Sequence, residues 1–331
     1  MKGAMLMDNM SLFGDDIMKN YYEVTPSVLN GKIYGGTTAK FGITVNGKDY
    51  IVKMPKDAGL SVYTEYIASN FIQQIGYNGH TVFLGKSKNY EGNPEGFGDI
   101  EDVNIMLDFT EDKYELHSYK DTKQSSEDTD IGDKQYTYND VIYMIDQHSK
   151  LDDENKALCI KQFWEMYVCD AILGNRDRHW GNWGYLIKDK RYYPAPLYDN
   201  GGSLYPGIFK VIHEFPSLKF MSDRTYIFPA SLLLVEKGDR AYRTNYYDIL
   251  SNTQNVDLLN VIADLKSRFS WKDIATIAFN IIKPLDIEPK LKEFWSEIIP
   301  IRYRCLIELE PIEPVYDEVR CYYAELCKNT I

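Results

Sequence analysis

Apolar and polar positions change period several times along the chain. Phe41–Val45 and Tyr50–Met54 read as short strands, and Asn46-Gly47-Lys48-Asp49 between them is a hairpin signal. Leu60–Ile75 places Tyr63, Ile67, Phe71 and Ile75 at helical spacing, with Glu65 as its only charge. Thr81–Leu84 and Val103–Phe109 read as further strands, separated by a Gly- and acid-rich loop at Asn89–Asp102. Lys120–Gln135 is polar enough to be a flexible surface loop. A short helix is predicted over Asn139–His148. A longer one over Glu154–Leu173 has a buried stripe through Leu158, Phe163, Trp164, Tyr167, Val168, Ala171 and Ile172, and Gly174-Asn175 stops it. Trp183–Ile187 and Arg191–Tyr198 then form a second hairpin through Lys188-Asp189-Lys190, with Pro194 and Pro196 marking the second run as an edge. Gly207–Thr244 reads as irregular. Val256–Phe269, Lys272–Lys283, Pro289–Glu310 and Pro314–Lys328 read as helices, with Pro300 kinking the third.

Composition narrows what such a chain does. An apolar share of 44% over 331 residues is enough for a sizeable core. A net charge of -12 argues against broad binding to nucleic acid or an anionic membrane. No apolar run approaches a membrane span, and the first residues lack the apolar core of a secretory signal, so a cytoplasmic location is expected. Five cysteines, odd in number and without metal spacing, read as free thiols rather than a zinc site.

The candidate chemistry centres on Gly174–Leu204. Asp177 and Asn182 fall in the loop after a packed helix, and Asp199 follows the hairpin directly, ahead of Gly201-Gly202. A hairpin brings its ends together, so Asp199 is expected to return beside Asn182. Magnesium takes oxygen ligands from one or two carboxylates plus phosphate and water, and Asn182 and Asp199 offer such oxygens. Asp177 is placed to orient an attacking hydroxyl and take its proton. Asp, then Asn five residues on, then Asp before Gly is the order of a protein-kinase catalytic loop and metal loop. Lys53, at the end of a strand, and Glu65, on a nearly uncharged helix, fit the pair that holds α/β-phosphates, because a buried carboxylate needs a cation. Gly35-Gly36-Thr37-Thr38-Ala39-Lys40, read alone, is an ordinary turn, since it is neither GxGxxG nor a Walker A loop. His179, inside the catalytic loop, is expected to orient it through the backbone or Asp199. His80, His117, His148 and His213 read as ordinary core or surface residues. Ser125, Ser126, Thr225, Tyr226 and Ser231 are weak phosphorylation candidates.

The run GNRDRHWGNWGYL, with PLYDNGGSLYP after it, resembles the catalytic centre of the HipA-like serine/threonine kinases, and in particular their short bacterial members. The order Asp-Arg-His, instead of the His-Arg-Asp of ordinary eukaryotic kinases, is shared by that family and by phosphatidylinositol kinases. The resemblance is specific over Glu154–Pro206. It implies an α+β, two-lobed protein-kinase-like fold: a β-rich N-lobe with one helix over residues 1–112, a flexible loop over 113–137 and a mainly helical C-lobe over 138–331. It implies ATP and Mg2+ as cofactors, with autophosphorylation. Asp177, Lys53 and Glu65 would be catalytic, and Asn182 and Asp199 metal-binding. Gly35, Gly36, Thr37, Thr38, Lys40, Lys53 and His179 would lie against the nucleotide, with Leu107 and Phe109 at the adenine. HipA itself has an additional N-terminal domain that engages an antitoxin. Too few residues precede Gly35 to hold it, which argues against a HipB-like partner while leaving a separate small one open. Two other readings compete. A lipid or small-molecule kinase shares DRH-x-x-N, but this chain lacks a basic amphipathic helix for docking on membranes. A silent nucleotide-binding regulator would bind ATP without turnover.

Overall fold

The computed structural model describes residues 22–24, 28–34, 38–55, 60–88, 100–110, 113–124, 136–148, 151–205, 217–237 and 240–329. Gly35, Gly36, Thr37, Ser125, Ser126 and His213 lie outside them.

The N-terminal part is a six-stranded sheet built from β1 (Tyr22–Glu23), β2 (Leu29–Ile33), β3 (Lys40–Val45), β4 (Lys48–Lys53), β5 (Val82–Lys88) and β6 (Ile100–Leu107), in the order β1-β5-β6-β4-β3-β2. Asn46 and Gly47 both have positive φ and close the β3–β4 hairpin in two residues, as an Asn-Gly turn should. Helix α1 (Leu60–Gln74) crosses the sheet, with Val62, Ile67, Ala68, Phe71 and Ile72 buried. Val24, Ile43, Tyr50, Val52, Met54, Val103 and Ile105 form a separate small core within the sheet.

The remainder contains β7 (Glu115–Ser118), α2 (Tyr119–Gln124), β8 (Tyr136–Thr137), α3 (Tyr138–Asp146), α4 (Asp153–Leu173), β9 (Gly184–Lys188), β10 (Arg191–Pro194), α5 (Leu218–Ser222), β11 (Ala230–Lys237), β12 (Arg240–Asn245), α6 (Tyr246–Asn252), α7 (Val256–Arg268), α8 (Trp271–Ile282), α9 (Pro289–Arg302) and α10 (Ile312–Lys328). Asp152 caps α4 at its start by accepting from Asn155 N–H, and Gly174, with φ 67° and ψ 43°, ends it in the left-handed conformation. The main core runs from α1 through α4 to α8, α9 and α10. No helix among the described residues is long and apolar enough to cross a membrane.

Three expectations change. The flexible loop expected over 113–137 begins as structure: β7 pairs with β9, Tyr119 is buried and stacks on Trp183 at 3.6 Å, and the polar run itself opens with Lys120–Gln124 helical. Stacking on Trp183 gives Tyr119 the apolar neighbours that its own segment lacks. Gly207–Thr244 is not irregular where described, since it contains α5, a π-helical turn at Asp223–Ile227 and the β11–β12 hairpin. There Thr225 and Ser231 are buried, and Ser231 Oγ lies 2.9 Å from Tyr167 Oη, so neither is accessible for modification. The helix predicted over Pro289–Glu310 is not one uninterrupted α-helix. Instead, α9 ends at Arg302 and passes into a π-helical turn at Tyr303–Ile307, two residues after the missing N–H.

The two parts join at Asn78–His80. Leu197 N–H donates to Asn78 O at 2.7 Å, and His80 N–H donates to Leu197 O at 3.0 Å. His80 Nε2 lies 2.7 Å from Leu107 O, so the ring is assigned as the Nε2–H tautomer, and burial holds it neutral.

Glu297 of α9 is buried, with Arg320 Nε of α10 3.8 Å from its Oε1. One long contact from a half-exposed guanidinium does not offset burial. Burial, with Glu293 adding to it, pushes the Glu297 carboxyl up to about 8 from 4.5. The folded state therefore holds this proton more tightly than the unfolded chain. The resulting stabilisation is complete below about pH 4.5 and is lost as pH rises through about 8, at up to about 1.4 kcal/mol per pH unit. Glu297→Gln should flatten the fall of Tm between pH 6 and 8.5. A Tm profile with the same slope in both proteins would contradict this.

Candidate active site

The site is assembled around a buried arginine that the sequence reading did not single out. Arg178 Nε and Nη2 hold Asp170 as a bidentate pair, at 2.8 and 3.0 Å, and both side chains are 1% exposed. Its Nη1 donates to Asn182 O and Tyr198 O, each at 2.7 Å, and Nη2 also reaches Asn200 Oδ1 at 2.7 Å. One guanidinium thus fixes α4, the loop carrying Asn182 and the residues on either side of Asp199. Burial works against its charge, but Asp170 outweighs this and holds Arg178 charged. The β9–β10 register, Pro194 opposite Tyr185, returns the chain beside Gly184, as the predicted hairpin required.

Asp177 is exposed, on a backbone that is not free. Its N–H donates to Asn175 Oδ1 at 3.0 Å, and Asn175 Nδ2 donates to Asp170 Oδ1 at 3.0 Å. The carbonyl of Asp177 accepts from Asn182 Nδ2 at 2.8 Å, which leaves the carbonyl end of the Asn182 amide for a cation. A Cβ on Gly202 would lie 2.8 Å from Asp177 Cβ, so this glycine makes room for Asp177. His179 Nδ1 accepts from Gly181 N–H at 3.0 Å, orienting its own loop.

Asp199 has φ 57°, a left-handed conformation that few non-glycine residues adopt. Lys53 Nζ lies 2.8 Å from Asp199 Oδ1 and 3.7 Å from Glu65 Oε2. Burial alone would lower the Lys53 pKa, but the two carboxylates outweigh it and hold it above its usual range. Asp199 is held below its own, again against burial and chiefly by Lys53. Glu65 is 1% exposed and its Oε1 accepts from Asn200 N–H at 2.9 Å, while Thr64 Oγ1 donates to Gly201 O at 2.8 Å. Helix α1 therefore grips the Asp199–Gly201 segment as well as the lysine.

Lys40 stands directly opposite Lys53 on the β3–β4 ladder, so the two side chains share one face. Burial first, and Lys53 second, lower its pKa, while Asp199 and Glu65 partly restore it. Like charges opposite each other are unfavourable, and an anion between them removes the cost. Thr38 is half-buried at the start of the same strand's approach. Leu107 does not offer its backbone to a base: its N–H donates to Thr81 O and its carbonyl is met by His80. Strand pairing continues to its last residue there. Phe109 packs between His80, at 4.7 Å, and Tyr198, at 5.9 Å.

The missed residues are Asp170, Arg178 and Asn200. Asp170 interrupts an otherwise apolar helix end, which is the one signal that a buried cation lies nearby.

Comparisons with known proteins bear on the family and the fold. A family model described as the HipA-like C-terminal domain matches residues 33–207, a little over half of the chain. The serine/threonine-protein kinase CtkA of Helicobacter pylori (strain J99 / ATCC 700824) is 30% identical over 308 residues, covering 87% of this chain and 88% of that protein. The crystal structure of a Helicobacter pylori proinflammatory kinase CtkA superposes with a TM-score of 0.74 at 28% identity, over 91% of this chain and 98% of that one. The HipA of Shewanella oneidensis MR-1, solved with HipB and operator DNA, reaches a TM-score of 0.46 at 12% identity over 96% of this chain and 73% of that one, too remote to bear on partners. The two-lobed arrangement, the paired loops and these matches together place the chain in the HipA-like kinase family.

Proposed function

We infer that this chain is a serine/threonine protein kinase that transfers the γ-phosphoryl group of ATP with Mg2+. The observation that carries the reading is the position of Lys53, shared between Glu65 on α1 and Asp199 beside the Asn182 loop. Kinase relatives use nucleotide and metal in general. The residues present fit both groups. Asp199 and the Asn182 amide supply the oxygens that magnesium accepts, and Lys40 and Lys53 form a cationic face for phosphates. The bound metal would neutralise charge developing on the phosphoryl oxygens.

The chain's own residues divide the remaining work. Glu65 keeps the Lys53 ammonium charged and aimed into the cleft. Asp177, exposed on a pinned backbone, orients the acceptor hydroxyl and accepts its proton. Arg178 holds the two loops in register, so that acceptor and donor sites stay at fixed separation. Phe109, at the end of the six-stranded sheet, would border the adenine, and the chain's own hydroxyls are acceptors for autophosphorylation.

Asp177→Asn should lower transfer from γ-labelled ATP to a degenerate Ser/Thr peptide mixture by about 10²-fold or more while leaving ATP affinity within about two-fold. Full transfer by that variant would reject Asp177 as the base. Label in phosphoinositide but not in peptide would reject the protein-kinase reading. Lys40→Met should raise the ATP KM by roughly ten-fold and weaken its dependence on salt, with kcat less affected. An unchanged KM would remove Lys40 from the phosphate site.

A further inference from the structure

We propose that Arg302 is a positioning residue for phosphoryl transfer, seating the start of the catalytic loop and the exit of the metal loop on helix α9. The proposal rests on the kinase reading above and concerns a residue about 100 positions beyond the Asp199 loop in sequence.

Arg302 is the last residue of α9 and is fully buried. Among the described residues, none of its hydrogen-bond partners is a carboxylate. Nη2 donates to Tyr205 Oη and Arg224 O, both at 2.8 Å, Nε donates to Arg224 O at 3.2 Å, and Nη1 reaches Ile172 O at 3.5 Å. A buried guanidinium without a counter-carboxylate is costly, and among the described residues its compensation is backbone carbonyls and one tyrosine hydroxyl. Ile172 O lies in the last turn of the 21-residue helix α4, at the negative end of its dipole. The guanidinium occupies the space that a side chain on Gly174 would need: a Cβ there would stand 2.1 Å from Nη1. Gly174 is thus required for its left-handed φ and for the arginine it admits.

Two arms lead from this seat into the site. Gly174 passes to Asn175, whose side chain holds the Asp177 amide. On the other arm, Leu204 and Tyr205 both have positive φ, 55° and 53°, an unusual pair of left-handed non-glycine residues. Leu204 N–H donates to Leu173 O at 2.9 Å, and Leu204 O accepts from Trp295 Nε1 at 2.8 Å. Trp295 and Arg302 are seven residues apart on α9, two turns, and so share one face. That face holds Leu204 and Tyr205 in a conformation they would not keep alone, six residues after Asp199. Two side chains of one helix therefore hold the segment leaving the metal loop, Trp295 by the Leu204 carbonyl and Arg302 by the Tyr205 hydroxyl, and Arg302 also holds the backbone entering the catalytic loop.

A purely structural staple would lower stability and leave turnover per folded molecule unchanged, whereas a positioning residue lowers kcat. The test uses the full chain, γ-labelled ATP and a degenerate Ser/Thr peptide mixture, at a temperature where every variant is folded. Arg302→Met should lower kcat about ten-fold or more with ATP KM within about two-fold, and Arg302→Lys should recover part of the loss. Tyr205→Phe, which deletes one acceptor, should lower kcat a few-fold. Val319→Ala, in the core of α10 and away from both loops, should lose comparable Tm and keep kcat within about two-fold. The proposal is overturned if Arg302→Met keeps its kcat, or if Val319→Ala loses as much. Where Arg302→Met does not fold, an unchanged kcat in Tyr205→Phe overturns it. An unaltered chain that transfers no label overturns the kinase reading instead.

Discussion

The buried pair of Arg178 and Asp170 is the interaction on which the rest depends. An ion pair taken out of water gains little unless every donor and acceptor is matched. Here the five N–H bonds of the guanidinium are used on Asp170, Asn182 O, Tyr198 O and Asn200 Oδ1. Asp170 also accepts from Asn175 Nδ2, and its backbone carbonyl accepts from Gly174 N–H and Asn175 N–H. Nothing in that network can move alone. The exposed carboxylate of Asp177 therefore stands on a rigid base although it sits on a loop, which is what its proposed role toward an acceptor hydroxyl requires.

Above this floor the N-terminal sheet contributes charge rather than shape. Lys53 and Lys40 face the same side of one hairpin, and Glu65 on α1 reaches both the lysine and the amide of Asn200. Helix α1 cannot withdraw without breaking contact with the lysine and the Asp199–Gly201 segment together. The Leu197 bridge to Asn78 and His80 completes the joint between the two parts with neutral backbone hydrogen bonds, and the His80 ring braces Leu107 within the N-terminal part.

Where local chemistry decided the outcome, the sequence was readable. Asn46-Gly47 demanded a tight hairpin, Gly174 demanded a helix stop, and the single charge on Leu60–Ile75 demanded a buried partner; the chain has all three. The Asp177, Asn182 and Asp199 spacing was legible because a hairpin's ends must meet. Other features depended on partners remote in sequence. Tyr119 is buried because Trp180 and Trp183 stack on it, and Ser231 is buried because Tyr167 faces it, and neither neighbour is implied by the local pattern.

By itself, then, the order of residues determined most of the elements, the family and the candidate groups for the proposed chemistry, since periodicity, turn chemistry and motif spacing are short-range properties. Only the tertiary structure decided how those groups are held. The Asp170–Arg178 hub gathers three segments, the Lys40–Lys53 face depends on strand register, and Arg302 reaches back across 128 residues to the helix end at Gly174. Contacts of that kind come from the packing of whole elements against one another, which no window of sequence contains.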